Sequence, residues 1–218
     1  GVTGARAFPQ MWADPTMLAL PRVPDAIIVS EPTELEVVVA HKGTLRWKCQ
    51  TQGRAAHSSR PQEGESAIYS MAKVINATQQ YADTIVGQLA SHPLVGSPTL
   101  SIGRVEGGIS VNVVPDLCTI EIDRRIVPGE NWEVAFEHFK NFLTTQVPDV
   151  TVTHEQPYST TPGMSDQINE QLSSHLSKVI QEHGYPGRRV GVTYGTNAWA
   201  YAARNAPTVV FGPGSIQQ

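Results

Sequence analysis

The stretch TLRWKCQTQG, residues 44–53, decides the fold of the central part of this chain. Leu45, Trp47 and Cys49 alternate with polar side chains, and this period of two predicts a strand with one buried face. The following segment, residues 65–82, repeats apolar side chains at helical spacing and therefore predicts an amphipathic helix. The core-facing residues predicted for this helix are Ile68, Met71, Ala72 and Ile75.

Further segments continue the same alternation of strands and helices. TLSIGRV, LCTIEIDRRI and VTVTHE are typical of strands, and a second amphipathic helix lies before the last of them, with Asn131 placed to cap it. The apolar face of this helix is Trp132, Phe136, Phe139 and Leu143. The order strand, helix, strand, strand, helix, strand predicts a split βαβ fold, an antiparallel four-stranded sheet with two helices on one face. We assign residues 37–156 to this ferredoxin-like domain.

The flanking sequence predicts a second sheet of another kind. DAIIVSEPT, RRVGVTYGTNA and APTVVFGPGS contain continuous apolar runs, which are typical of strands buried on both faces of an α/β sheet. A helix that ends at Gly184 is predicted between these runs, directly before RRVGVTYGTNA, with Ile168, Leu172, Leu176, Val179 and Ile180 on its apolar face. Residues 1–36 and 157–218 are therefore predicted as one α/β domain. Because three strands leave its apolar faces uncovered, we expect this domain to be incomplete.

Composition and charge argue against several classes of function. The formal net charge is −4 and basic residues form no run, which disfavours nucleic-acid or anionic-membrane partners. No apolar stretch approaches the ~18 residues of a membrane span, and no signal peptide is recognisable. Cys49 and Cys118 lie in alternating strand patterns, which predicts buried free thiols and a reducing, cytoplasmic compartment.

Polar residues follow each predicted strand of the flanking sheet. They are Glu31, the segment Tyr194–Asn197 and the segment Gly212–Ser215. Ligands of open α/β sheets bind beyond the carboxyl ends of the strands, so these ends predict one edge of a site. A carboxylate at a buried strand end is costly unless it is paired or metal-bound. Glu31 is therefore either a capping or ion-pairing residue or a metal ligand, and the two interpretations stay open.

Three residues of the central part are further candidates. His57, in GRAAHSSRP, lies among small residues that leave its ring exposed, so it is either a structural hydrogen-bonding residue or a group that contacts a ligand. Asn112 enters a strand and is interpreted as a residue that bonds local backbone. Arg125 follows Asp123 on the same strand face, which favours either an ion pair between them or a fork that binds a substrate carboxylate. The other six histidines show no metal-binding spacing.

Three motifs together carry a resemblance to a known family. IIVSEPTELEVVVAHKGTLRWKCQTQGRAAHSSRP, GGISVNVVPDLCTIEIDRRIVPG and APTVVFGPGSIQQ resemble the zinc amidohydrolases that include acetylornithine deacetylase, succinyl-diaminopimelate desuccinylase, aminoacylase and glutamate carboxypeptidase. The resemblance implies an α/β catalytic domain that holds two zinc ions, with cobalt as a substitute. It also implies an inserted lid domain through which the protein forms a homodimer.

The resemblance assigns roles residue by residue. Glu31 resembles a zinc ligand, and His57 resembles the lid histidine that stabilises the oxyanion of the scissile amide, usually from the neighbouring subunit. Asn112 and Arg125 resemble lid residues that hold the substrate. The positions that resemble pocket-lining loops are Thr196, Gly212, Gly214 and Ser215. Asn197 stands where the family usually has an aspartate.

The other metal ligands of the family and its glutamate base have no counterparts in this sequence. We therefore expect the C-terminal part of a zinc-dependent deacylase of N-acyl amino acids, most like acetylornithine deacetylase and inactive by itself. The alternative is a non-catalytic split βαβ module that dimerises, in which Glu31 and His57 are only structural. A phosphate or nucleotide binder is disfavoured because FGPGS lacks the residues that follow a phosphate loop.

Overall fold

The structure is a computed structural model that describes residues 2–7, 9–10, 23–89 and 91–216. In chain order the helices and strands are α1 (Val2–Ala7), β1 (Ile27–Val29), β2 (Val37–His41), β3 (Gly43–Gln52), β4 (Ala56–His57), α2 (Ala67–Thr84), β5 (Thr99–Gly107), β6 (Val113–Val114), β7 (Leu117–Ile126), α3 (Trp132–Gln146), β8 (Val152–His154), β9 (Ser159–Thr161), α4 (Glu170–Glu182), β10 (Arg189–Val192), α5 (Trp199–Ala202) and β11 (Thr208–Val210).

The central part of the chain forms the predicted antiparallel sheet. Its strand order is β5-β7-β3-β8, and β3 pairs with β7 over its whole length. The sequence had not predicted β9, which pairs with the first half of β3, or the small β4–β6 pair. We call this sheet with α2 and α3 the inserted unit, residues 43–161. The mixed α/β fold and the split βαβ order are confirmed.

The core of the inserted unit lies between the sheet and the two helices. Leu45, Trp47 and Cys49 are fully buried, as their alternation predicted. The Trp47 ring packs edge-on against Phe136 and Phe139 of α3, with ring centroids 5.4 and 5.3 Å apart. These contacts fix α3 on the sheet, and Asn131 caps the helix as predicted.

The predicted core face of α2 is partly wrong. Met71 is buried and Ile75 packs against the core, but Ile68 and Ala72 are exposed. The side that meets the sheet is instead formed by Ala67, Met71, Val74, Thr78 and Tyr81. The physical reason is that the large Tyr81 ring is buried against Phe139 and Phe142, which rotates the contacting stripe away from Ile68.

The flanking residues form a four-stranded sheet of order β1-β11-β2-β10. We call this sheet with α4 and α5 the flanking unit. Both pairs β1–β11 and β2–β10 are parallel, whereas β11 and β2 are antiparallel. Residues of α4 pack on one face, where Val37, Val39, Ile180 and Val209 are buried, and α5 lies on the other face. Among the described residues, the strand at DAIIVSEPT, which was predicted to be buried on both faces, lies at the edge of the sheet, and Ile28 is 53% exposed.

The start of the inserted unit differs from the boundary predicted at residue 37. Every residue of β2 is buried in the flanking sheet, so the inserted sheet begins only at Gly43. The inserted sheet also extends past residue 156, because β9 belongs to it. The pairing partners of β2 are distant in sequence, and local periodicity could not reveal them.

Two adjacent connectors join the units. His41 N donates to Met164 O at 3.1 Å, and Met164 N donates to His41 O at 2.9 Å. Gly43 lies so close to the returning connector that a Cβ there would be 2.1 Å from Thr161 O. The chain therefore leaves and re-enters the flanking unit at one point.

Both cysteines are buried and unpaired, as predicted, and burial raises the pKa of the Cys49 thiol to about 12. Among the described residues no helix has the length and apolar character needed to cross a bilayer.

Candidate functional site

An open cleft of about 510 Å³ lies where the two units meet. It brings together three of the predicted site residues, Glu31 and Thr196 from the flanking unit and Arg125 from the inserted unit. The other residues that line it are Thr44, Arg46, Ser159, Thr161, Tyr194, Gly195, Asn197 and Trp199. Two of the three predicted strand ends, at Glu31 and at Tyr194–Asn197, thus form one wall of a cleft, and the polar face of the inserted sheet forms the other.

Glu31 follows β1 in a loop that the glycine-rich end of β11 holds in place. Thr33 N donates to Gly212 O at 3.1 Å, and Gly212 N donates to Thr33 Oγ1 at 3.2 Å. A Cβ at Gly212 would lie 2.6 Å from Glu31 O, so this close approach requires glycine. Gly212, Gly214 and Ser215 do not line the cleft themselves.

Gly214 and Ser215 support the same loop from behind. Gly214 O accepts a hydrogen bond from Glu34 N at 2.8 Å, and Ser215 forms a β-bridge with Thr33. Gly214 has a φ of +83°, in the region that favours glycine. The structure therefore places these predicted pocket residues where they position Glu31.

Arg125 and Asp123 form the predicted ion pair. Arg125 Nε lies 3.0 Å from Asp123 Oδ1. Arg46 of the neighbouring strand contacts the same carboxylate, with its Nε 2.9 Å and its Nη2 2.8 Å from Asp123 Oδ2. One aspartate thus orients two guanidinium groups at the cleft wall, and this arrangement leaves further N–H groups of both arginines for a ligand.

The wall opposite the arginines comes from the segment after β10. Thr196 Oγ1 accepts a hydrogen bond from Ala198 N at 3.1 Å, which fixes the turn into α5. Burial raises the pKa of the Tyr194 phenol, and the negative charges of Glu31 and Glu34 raise it further. Tyr194 is therefore a neutral hydroxyl beside Glu31.

His57 and Asn112 lie together, away from the cleft residues of the same chain. His57 is exposed on β4, and Ser58 N donates to Asn112 O at 3.0 Å. Ser59 N donates to His57 Nδ1 at 3.2 Å. An Nδ1 that accepts a hydrogen bond leaves the proton of a neutral imidazole on Nε2. The ring thus offers an outward Nε2–H donor.

The described residues do not form a complete metal site. No group of three or more His, Cys, Asp or Glu side chains that could hold a metal ion occurs in the part of the chain that the structure describes. Glu31 is a single carboxylate, and a catalytic zinc needs three protein ligands. The described residues therefore do not fit zinc by themselves, and Glu31 can supply only one ligand.

Sequence reasoning missed Arg46. An arginine on the polar face of a strand usually lies in solvent, and only its pairing opposite Asp123 places it at the cleft. The signal was nevertheless in the sequence, because Arg46 shares the strand face of Thr44 and opposes a strand that carries Asp123 and Arg125.

Comparison with known proteins identifies the family to which the chain belongs. The sequence model of the M20 peptidase dimerisation domain matches residues 39–151, which is about half of the chain. The chain belongs to the M20 peptidase family. This M20 chain is 33% identical over 220 residues to a protein named probable carboxypeptidase from Aspergillus flavus, covering 98% of the chain and 49% of the relative. It is 30% identical over 210 residues to acetylornithine deacetylase of Vibrio parahaemolyticus, covering 91% of the chain and 52% of the relative.

Solved structures share the fold of this M20 chain. The aminopeptidase PepT from Bacillus cereus superposes with a TM-score of 0.73 at 22% identity, over 97% of this chain and 52% of that one. A tripeptidase from Staphylococcus aureus gives a TM-score of 0.71 at 22% identity, over 97% and 52%. The chain spans about half the length of the relatives that it matches.

Proposed function

We propose that this chain is one part of a zinc-dependent amidohydrolase that cleaves the amide of an N-acyl amino acid. The observation that carries the proposal is the cleft itself, which is lined both by Glu31 of one unit and by Arg125 of the other. The relatives named acetylornithine deacetylase and carboxypeptidase support the same class of reaction. In this proposal zinc, or cobalt in its place, supplies Lewis-acid activation of a water molecule, and most of its ligands lie outside the described residues.

The residues of this chain bind and orient the substrate. Arg125 binds the free carboxylate of the amino acid, because a guanidinium held by Asp123 presents a planar pair of donors that matches a carboxylate. Thr196 and the adjacent backbone form the opposite wall. Glu31 contributes one carboxylate ligand to the metal.

His57 acts on the cleft of a second copy of the chain. Its Nε2–H donates to the carbonyl oxygen of the scissile amide and stabilises the negative charge that develops there, and Asn112 assists in holding the substrate. His57 does not line the cleft of its own chain, and a homodimer formed by the inserted units would account for this separation.

The surface around His57 supports such a homodimer. Val111 is fully exposed, Ile109 is 87% exposed and Tyr69 is 77% exposed, and these apolar side chains cluster beside the β4–β6 pair. β5 is an edge strand, and unpaired edges of this length commonly pair with another chain. Pairing through this side would bury the apolar residues.

We infer a cytoplasmic location, which the two unpaired buried thiols support.

Mixing two inactive variants of the full-length protein tests the proposal. His57→Ala and Arg125→Ala should each lose about a hundredfold or more in kcat/KM for N-acyl amino acids, because each removes a contact to the reacting group or its anchor. When the two variants are mixed and allowed to exchange subunits, half of the sites in a mixed dimer contain both an intact Arg125 and a partner's intact histidine.

Activity recovered on mixing supports catalysis across the dimer. No recovery, despite mixed dimers seen by native mass spectrometry, contradicts the placement of His57 in the partner's cleft. A full-length protein that dimerises but hydrolyses no N-acyl amino acid in the presence of zinc contradicts the enzymatic proposal. That result favours the alternative, a non-catalytic interaction module.

A further inference from the structure

Arg46 has no role in the proposed reaction, yet it lines the same cleft as Arg125. Both guanidinium groups contact Asp123, and each uses only two of its five N–H groups to do so. Because a shared carboxylate fixes both side chains, Arg46 is a preorganised donor and not a mobile surface arginine.

The strand register sets the distance between the two arginines. Arg46 pairs opposite Asp123, and Thr44 pairs opposite Arg125, so the arginines are diagonal neighbours on one face of the sheet. Diagonal neighbours of an antiparallel pair lie about 7–8 Å apart at the backbone. At their ends the two side chains converge, because Arg46 Nη2 lies 2.8 Å and Arg125 Nη2 lies 3.2 Å from the same Asp123 Oδ2. The two guanidinium groups therefore present adjacent sites for two anionic groups of one small ligand.

The charge of this wall favours an anionic ligand. Arg46 and Arg125 are the cations of the inserted unit that line the cleft, and Asp123 is the carboxylate that both of them contact. Two cations against one anion leave an excess of one positive charge on this wall. The N–H groups of both arginines that Asp123 does not use can bind the carboxylates of a ligand.

Neutral hydroxyls complete the wall beside Arg46. Thr44 Oγ1 lies 2.8 Å from Thr161 Oγ1 and 3.3 Å from Ser159 Oγ, and all three side chains line the cleft. Hydroxyls can donate to a carboxylate, and they add no negative charge that would attract a cation. Glu31, the acidic residue among those that line the cleft, belongs to the opposite wall.

We propose that Arg46 determines specificity for N-acyl amino acids that carry a second carboxylate. This inference rests on the proposed function and deepens it, since Arg125 binds the first carboxylate and Arg46 binds the second. An acidic substrate is favoured, and a substrate with a side-chain ammonium group, such as N-acetylornithine, is disfavoured by repulsion from the same wall. The second carboxylate can belong either to the amino-acid side chain or to the acyl group.

Matched substrates test the inference in the full-length protein. N-acetyl-L-glutamate and N-acetyl-L-glutamine differ only in one charged group, and N-succinyl-L-alanine places the second carboxylate on the acyl side. We expect kcat/KM for at least one of the two dicarboxylates to exceed that for N-acetyl-L-glutamine and N-acetyl-L-ornithine by about ten- to a hundredfold, the range of one hydrogen-bonded charge pair. The favoured dicarboxylate identifies the source of the second carboxylate.

Arg46→Gln should remove this preference and leave hydrolysis of N-acetyl-L-glutamine within about threefold of the parent protein. The neutral substrate thereby reports that the variant is folded. Lys48→Gln is the matched control, because Lys48 lies two residues further along the same strand face and outside the cleft lining, and it should retain the preference.

Two outcomes overturn the inference while the proposed function stands. One is equal kcat/KM for the acidic and neutral substrates in the parent protein. The other is an equal loss on both substrates in Arg46→Gln, which would make Arg46 only a positioning residue for Arg125. A protein that hydrolyses none of the four substrates contradicts the proposed function itself, and the inference fails with it.

Discussion

Replacing His154 with phenylalanine should make the chain more resistant to acid. His154 belongs to β8, and its ring lies edge-on to Phe136 and Phe139, with centroids 6.1 and 6.0 Å away. Burial is the main cause that lowers the pKa of His154 to about 4, and the positive charge of Lys140 adds to it against a smaller opposite effect of Glu137. The imidazole is therefore neutral in the folded protein at pH values at which it is protonated in the unfolded chain.

The sign of the effect follows from proton binding. Because the unfolded chain binds the proton with a pKa near 6.5, the unfolded state gains protons first as the pH falls. Stability is full above about pH 6.5 and is lost progressively as the pH falls towards 4. Between pH 7.5 and 5.5 the loss from His154 is about 1 kcal/mol. His41, with a pKa lowered to about 4 by burial, should contribute a similar loss.

Urea unfolding of this chain at pH 7.5 and pH 5.5, followed by tryptophan fluorescence, measures the effect. In His154→Phe the ring contacts are kept and the titration is removed, so the free energy of unfolding should fall by about 1 kcal/mol less between the two pH values than in the parent chain. His175→Gln, at an exposed position of α4, is the control and should leave the pH dependence unchanged. An unaltered pH dependence in His154→Phe would refute the reasoning.

Two further predictions concern the stability of single elements. Phe139→Ala should lower the free energy of unfolding by about 4 kcal/mol, because a fully buried ring that contacts Trp47 and Tyr81 is lost. Val134→Ala, on the exposed side of the same helix, is the control and should lower it by less than about 1 kcal/mol. Gly184→Ala, just after the end of α4, should lower the free energy of unfolding by about 1 kcal/mol, because the φ of +85° at this position is unfavourable for a residue with a Cβ. Equal urea midpoints for the parent and the variant would exclude this strain.

The sheet of the inserted unit could be predicted because its signals are local. Leu45, Trp47 and Cys49 alternate within one strand, and the cap at Asn131 is three residues from the amide that it bonds. The orientation of α2 could not be predicted as well. Helical periodicity offers several adjacent stripes, and the choice depends on the partner that Tyr81 finds in α3.

The site could be predicted in part for the same reason. Glu31, Arg125 and Thr196 stand at strand ends or in recognisable motifs, and the structure brings them into one cleft. The supporting role of Gly212 depends on a loop far away in sequence, and the role of Arg46 depends on the register between two strands. These are long-range facts that no window of sequence contains.

Because the two connectors at His41 and Met164 lie side by side, the inserted unit could be deleted from the chain as one segment. Its two ends leave and return side by side, so a short turn that joins residue 41 directly to residue 164 would close the gap without moving any strand of the flanking sheet. The same geometry allows another compact unit of different shape to be grafted at this point. Recombination at two sequence positions that lie side by side in space, near His41 and Met164, can therefore exchange the inserted wall of the cleft and leave the wall of the flanking unit unchanged.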